Sequence, residues 1–534
     1  MPTTVRDAVL DVLRARGVDR IFANPGSTEV GLLAGLPDDL ELVLALHEGS
    51  VVGLASGYAV ASGRPSVALL HTAAGYGNAV GALSTARANR IPLVTLVGQQ
   101  DRRHLASEPF LTGRLAALAG DYPVGVEEPA RAADVPAAVA RAFHAAVLRR
   151  GPAVVIVPMD DWAEPVGEVD LAPAAERITV ATAADPEALN EVAALIEDAK
   201  RPTLVLGALA DDPDTWESTH RLATALDAPV WQEAYAYRMG FDQTSPLFAG
   251  HLPPGRAALR AALSGHDLVL VLGGSAFRQY LYEPGAFVEP GTSVVVVTDD
   301  AEDAARSAAE LVVLAPVGST VAGLADRVTV RAPRPRPEGT SRHPADEKPA
   351  TTPHGRTPSP RDVFTALAER LPAESTYFEE SPSTRRELLA TLPVRTPSGF
   401  LTAAMGGLGF ALPAAAGVKL ARPNRPVVAV VGDGASLYNI QALWSARKYG
   451  AGVLYLVLSN GGYAVMDRLA ANAGVKPPWP GFEEVSIATL ASGFGCEARR
   501  IETTDELVAA LDEVVPGLAT RSEPLVLDVA VTTD

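Results

Sequence analysis

The chain has 534 residues, room for about three domains of ordinary size, and its 48% hydrophobic content supplies a large core. Lys plus Arg number 45 against 63 Asp plus Glu, a formal charge of −18, which argues against a duplex nucleic-acid partner that needs a basic face. The single cysteine, Cys496, excludes an intrachain disulfide framework and a CxxC metal site, and fits a reducing, cytoplasmic setting.

The opening "MPTTVRDAVLDVLRARG" carries charge throughout and lacks the apolar core of a signal peptide. Helical patterns then alternate with short apolar runs: "RIFANPG", "LELVLAL", "SVVGLASGYAVASG", "PSVALLH" and "PLVTLVG", closed by "PAVVIVP". Continuous apolar runs separated by helices predict a parallel sheet covered on both faces, here over 1–180. A second alternation, "PTLVLGA", "HRLATALDAPVW", "DLVLVLG" and "TSVVVVTDD", predicts a central α/β domain over 181–332. Residues 333–358 are dense in Pro and charge with no apolar period, which reads as a linker. The last domain spans 359–534. Its uncharged run from Phe400 to Val418 approaches a membrane span in length. Gly406, Gly407, Gly409 and Pro413 within it indicate a turn and a buried helix instead, and no membrane segment is expected.

"RPSVALLHTAAGYGNAVGAL", from Arg64, echoes "RPVVAVVGDGASLYNIQAL", from Arg425. Each runs from an apolar strand through a small-residue turn into a helix, and each follows a small-residue helix. The echo predicts three doubly wound parallel-sheet domains, the first and last of similar fold.

In the second copy of the echo the strand ends on Asp433, at the carboxyl edge where open α/β sheets bind ligands. Gly434 and Ala435 can present bare N–H groups to a phosphate. The next strand ends on Asn460, one helix-plus-strand repeat later. Asp433 and Asn460 would then offer oxygens from adjacent strand ends to a hard cation such as Mg²⁺. Alone, Gly-Asp-Gly is equally a turn with an N-capping acid.

This spacing resembles the signature of thiamine-diphosphate enzymes. The resemblance implies that Asp433, Asn460 and the Gly462 carbonyl hold Mg²⁺ on the diphosphate, with Tyr463 beside the cofactor. In "LALHEGSVVG", Glu48 matches the glutamate that hydrogen-bonds the aminopyrimidine ring; read without the family it is an acid in a first helical turn. "FANPGSTEVGLL", "LLHTAAGYGNAVGAL", "FRQYLYEPG" and "GGLGFALPAAAGV" together resemble the 2-oxo acid decarboxylases of the benzoylformate decarboxylase type. That resemblance implies that Ser27 binds the substrate carboxylate, His71 acts as acid/base, and Leu408 wedges the cofactor into its bent form. Ser27 is otherwise a helix N-cap and His71 a structural histidine.

The departures concern the substrate. Ungapped matching puts Tyr280 where the family has a second histidine, and a phenol is the poorer proton carrier at neutral pH. Thr402 and Leu469 replace pocket aromatics; Phe110 and Val465 are expected to line the same pocket. The family also implies a homodimer or homotetramer, with Glu48 and Asp433 of one site drawn from different chains. A carboligase that joins the decarboxylated fragment to a second carbonyl, and a non-catalytic cofactor binder, are the two alternatives. Acetolactate-synthase relatives often carry FAD, but the central domain has no GxGxxG, so FAD is not expected.

Overall fold

The computed structural model describes residues 3–167, 174–332 and 355–533. By internal contacts the chain forms two compact units, one of residues 1–179, 377–383 and 402–534, the other of 180–376 and 384–401. All but the last four residues of the 333–358 linker lie outside the described residues.

Three six-stranded sheets carry the fold. The first comprises β1 (Arg20–Asn24), β2 (Glu41–Leu44), β3 (Ser66–Leu70), β4 (Leu93–Gln99), β5 (Gly125–Glu127) and β6 (Pro152–Pro158). The second comprises β7 (Pro202–Leu206), β8 (Val230–Gln232), β9 (Phe248–His251), β10 (Leu268–Leu272), β11 (Ser293–Thr298) and β12 (Leu311–Leu314). The third comprises β13 (Thr376–Glu380), β14 (Phe400–Thr402), β15 (Val427–Gly432), β16 (Leu454–Ser459), β17 (Glu497–Ile501) and β18 (Leu525–Ala530).

The first sheet is ordered β2-β1-β3-β4-β6-β5 and the third β14-β13-β15-β16-β18-β17. Counted from its own first strand, the third order repeats the first. The second sheet, β12-β11-β10-β7-β8-β9, is different. The echo of Arg64 and Arg425 is therefore a true repeat of topology: β3 and β15 are the same strand of the same fold. Neighbouring strands in the first two sheets run parallel, as do β15, β16, β18 and β17. Every residue of β3, β4 and β6 is buried, which is why these strands read as unbroken apolar runs.

The two echoed helices, Glu48–Ser62 and Ala411–Ala421, pack on each other inside the first unit. A Cβ on Gly57 would overlap the Ala414 backbone, and one on Gly417 would overlap that of Leu54. Small residues let the backbones touch, so both helices are buried nearly all round and lack a polar face. The uncharged run from Phe400 comprises the short strand β14, a loop and the first part of the second helix. Among the described residues no helix is long and apolar enough to cross a membrane.

Candidate active site

In the first sheet β1 lies between β2 and β3, and β1 and β3 end together, Asn24 opposite Leu70. The chain leaves β1 through Asn24-Pro25-Gly26 into a 3₁₀ turn, Ser27–Glu29, and leaves β3 at His71. Ser27 and His71 thus come to one carboxyl edge, at the place where the strand order reverses. Ser27 does not cap this turn; the N-cap is Gly26, and the exposed Ser27 hydroxyl has no hydrogen-bond partner among the described residues.

The residue that organises the turn is Glu29, which sequence reasoning missed. It is 1% exposed. Its carboxylate accepts the Gly26 N–H at 2.7 Å, the Thr28 hydroxyl at 2.5 Å and His71 Nδ1–H at 2.9 Å. A carboxylate facing Nδ1 can only accept, so Nδ1 carries the proton and Nε2 is left as the working nitrogen. The ring sits so close to the turn that a Cβ on Gly26 would overlap it. Thr72, the residue after His71, is buried with φ +43°, a left-handed conformation that costs a β-branched residue energy. Strain of this kind concentrates at working sites.

Glu48 begins the helix that follows β2 and is 7% exposed. Its two oxygens accept one amide N–H each, from Asn24 at 3.0 Å and Asn78 at 3.1 Å. Each oxygen keeps a further lone pair, and no cation neutralises the group within these bonds. That is a carboxyl group held at a fixed angle by two amides.

In the third sheet Gly432 pairs with Leu458, so Asp433 and Asn460 lie at adjacent strand ends, as their spacing predicts. Asp433 Oδ2 accepts the Asn460 and Gly461 N–H groups at 2.9 and 2.8 Å, and Oδ1 accepts that of Gly434 at 2.8 Å. Burial pushes the Asp433 carboxyl up from its ordinary value, against the lowering effect of those amides. The Gly462 N–H donates to Asn460 Oδ1 at 3.1 Å, so residues 460 and 462 share one tight turn. Among the described residues no group of three or more His, Cys, Asp or Glu could hold a metal. The carboxylate of Asp433, the amide oxygen of Asn460 and the backbone carbonyl of Gly462 would make an all-oxygen set of the kind that suits Mg²⁺. The burial cost carried by Asp433 is one that a cation would offset. Tyr463 and Phe482 pack edge-to-face at 5.1 Å over Gly434, and Ala435 is buried beside them. Ser459, the residue before Asn460, donates to the buried Asp528 at 2.6 Å, which also accepts from Arg500.

Leu408 is half-buried, two residues before the N-cap of the Ala411–Ala421 helix. Beside it is a second group missed in the sequence, Glu380 at the end of β13. Its carboxylate accepts the N–H groups of Gly409, Phe410 and Ala411 at 2.5, 2.8 and 2.7 Å. Burial pushes the carboxyl up to about 7, with those amides acting in the opposite direction.

The expected pocket residues have varied settings. Thr402 is buried and donates to the Glu379 carbonyl at 2.7 Å. The Val465 N–H donates to Ser383 at 3.1 Å. Leu469 is exposed, and Phe110 is 87% exposed. Tyr280 belongs to the other unit, where it is 66% exposed and its ring lies 6.4 Å from that of Tyr235.

Three models of the thiamine pyrophosphate enzymes match this chain: the N-terminal TPP binding domain over residues 3–117, the central domain over 189–324 and the C-terminal TPP binding domain over 384–529. The chain is 35% identical to a benzoylformate decarboxylase of Pseudomonas aeruginosa, across 99% of both chains. It is 25% identical to the acetolactate synthase isozyme 1 large subunit of Escherichia coli, across 97% of this chain and 93% of that one. Among solved structures, a thiamine diphosphate-dependent 4-hydroxybenzoylformate decarboxylase of Rhodococcus jostii superposes with a TM-score of 0.93 at 34% identity, covering 100% of both chains.

Proposed function

The chain belongs to the thiamine pyrophosphate enzymes, among the 2-oxo acid decarboxylases that include benzoylformate decarboxylase, and on that premise we propose that it releases CO₂ from a 2-oxo acid to give an aldehyde. Thiamine diphosphate, when bound, supplies the electron sink that decarboxylation of a 2-oxo acid requires. Asp433, Asn460 and the Gly462 carbonyl would hold it through Mg²⁺, with Gly434, Ala435, Tyr463 and Leu408 around it.

The chain's own residues then divide the remaining work. Glu48 would hydrogen-bond the aminopyrimidine ring, its direction fixed by Asn24 and Asn78. Ser27 offers its hydroxyl to the substrate carboxylate. His71 moves a proton at Nε2, its other nitrogen being occupied by Glu29. Thr402, Val465, Leu469 and Phe110 would meet the substrate side chain, and Tyr280 would assist His71 as a hydrogen-bond donor. The small-molecule acid is the partner in turnover. By the family resemblance a second copy of the chain would be the partner in assembly, as a homodimer or homotetramer, with Glu48 and Asp433 of one site drawn from different chains.

The observation that carries the reading is the buried Glu29 carboxylate bonded to the half-buried His71, beside Ser27. A protein that only bound the cofactor would have no use for a histidine with its tautomer fixed. The alternative outcome, carboligation, shares every residue named so far. Measuring aldehyde and CO₂ together, with and without an added aldehyde acceptor, separates the two. The decarboxylase reading expects one aldehyde per CO₂ in both conditions. Aldehyde recovered only in carbon-joined product would overturn it in favour of a ligase.

A further inference from the structure

The Gly409 peptide is held at both ends by buried polar side chains. Its N–H donates to Glu380, and its carbonyl accepts from Asn439 Nδ2 at 2.7 Å. Gly409 itself has φ +91°, a conformation that side-chain-bearing residues rarely adopt. Asn439 reaches further. Its Oδ1 accepts the hydroxyl of Ser50 at 3.1 Å, and Ser50 is fully buried two residues beyond Glu48. Glu380, Gly409, Asn439 and Ser50 thus form one hydrogen-bonded line. It runs from the end of β13, through the residue after Leu408, to the first turn of the helix that begins with Glu48.

We propose that Glu380 and Asn439 are positioning residues: they pin the Gly409 peptide, and through it hold Leu408 in place. The physical case rests on what else could hold that segment. Leu408 follows Gly406, with φ +68°, and Gly407, and precedes Gly409, so its own backbone imposes little. Apolar contact alone fixes a leucine poorly when three glycines surround it. Three consecutive N–H groups on one buried carboxylate do fix it, because letting any of them go leaves a buried polar group unpaired. Asn439 adds the opposite clamp and anchors it on the buried Ser50.

This inference rests on the role assigned above to Leu408, and the test separates the two. Asn439→Ala, Glu380→Gln and Leu408→Ala are compared with the parent enzyme by three readouts. These are amide exchange of segment 408–411 in the cofactor-free protein, the near-ultraviolet circular dichroism of bound thiamine diphosphate, and kcat against KM. Asn439→Ala and Glu380→Gln are expected to speed exchange at 409–411 by about tenfold. They are expected to weaken the cofactor's dichroic band and to lower kcat by about 10²-fold while KM moves little. In the Leu408→Ala background neither should lower kcat further, since both act through that side chain. If Glu380→Gln fails to fold, Asn439→Ala, which removes a single amide, carries the test.

Loss of thermal stability with exchange and dichroism unchanged would overturn the proposal, leaving both residues merely structural. So would losses that multiply with those of Leu408→Ala. If Leu408→Ala itself alters neither kcat nor the band, the placement of Leu408 against the cofactor has failed and the clamp's purpose falls with it. If Leu408→Ala is damaging and Asn439→Ala is not, only the clamp is wrong.

Discussion

At His71 the decisive neighbour is a carboxylate that no simple motif announces. Glu29 stands two residues past Ser27, where an acid in a tight turn reads as an ordinary partner for backbone N–H groups, and it does bond Gly26. Its second task, holding His71 Nδ1, depends on β1 and β3 being adjacent, which lies beyond local sequence. Asp433 and Asn460 were legible for the opposite reason: their spacing is one strand-helix-strand repeat, so topology follows from the chain itself. Replacing Glu29 by Gln keeps the shape but puts an amide where only an acceptor suits the Nε2-active ring. We expect kcat/KM to fall by about 10²-fold with little change in cofactor affinity. Steady-state kinetics with cofactor titration checks this, and unchanged kcat/KM would remove Glu29 from the account.

At the scale of elements, the long buried strands were plain in the sequence and several others were not. β17, Glu497–Ile501, is an edge strand with charged residues along it, and so has no apolar signature. β13 is buried throughout but ends on Glu379 and Glu380, acids that composition assigns to the surface. The Ala411–Ala421 helix contains a comparable exception. Lys419 is 2% exposed, and its ammonium donates to the carbonyls of Arg425, Leu518 and Ala519 at 3.0, 3.1 and 2.8 Å. It thereby ties the helix to the chain just past the Val515–Gly517 turn. Lys419→Met strands those carbonyls and is expected to cost about 2–3 kcal/mol. Burial lowers the Lys419 pKa to about 8 from 10.5. Between those values the unfolded chain binds the extra proton, so the parent protein gains stability from this group as pH rises through that window. The stability gap between parent and Lys419→Met should therefore widen from pH 7.5 to pH 10, as read by denaturant unfolding at each pH. A gap that narrows would contradict this.

Across the whole molecule the repeat is what gives the site its logic. Because the third sheet repeats the order of the first, His71 and Asp433 each follow the third strand of their own fold, at the same carboxyl edge. In the proposed chemistry one copy of the fold would use that edge for proton-handling groups, Glu29, His71 and Glu48, and the other for oxygen donors to a cation and a small-residue seat for phosphate. Neither half suffices for the proposed chemistry, and the two use different residue types at equivalent places. The echo in the sequence made this division visible. The substrate side chain was not visible, because the residues proposed to meet it, Thr402, Val465, Leu469 and Phe110, come from distant parts of the chain.

The most direct measurement is CO₂ release from a panel of aromatic and aliphatic 2-oxo acids, by the parent and Glu48→Gln proteins, after stripping and then restoring thiamine diphosphate and Mg²⁺. The account predicts that the stripped parent is inactive and that both components are needed to restore turnover. It predicts that reloaded Glu48→Gln binds the cofactor yet runs at least about 10²-fold slower. Turnover by the stripped protein, or full activity of Glu48→Gln, would contradict it.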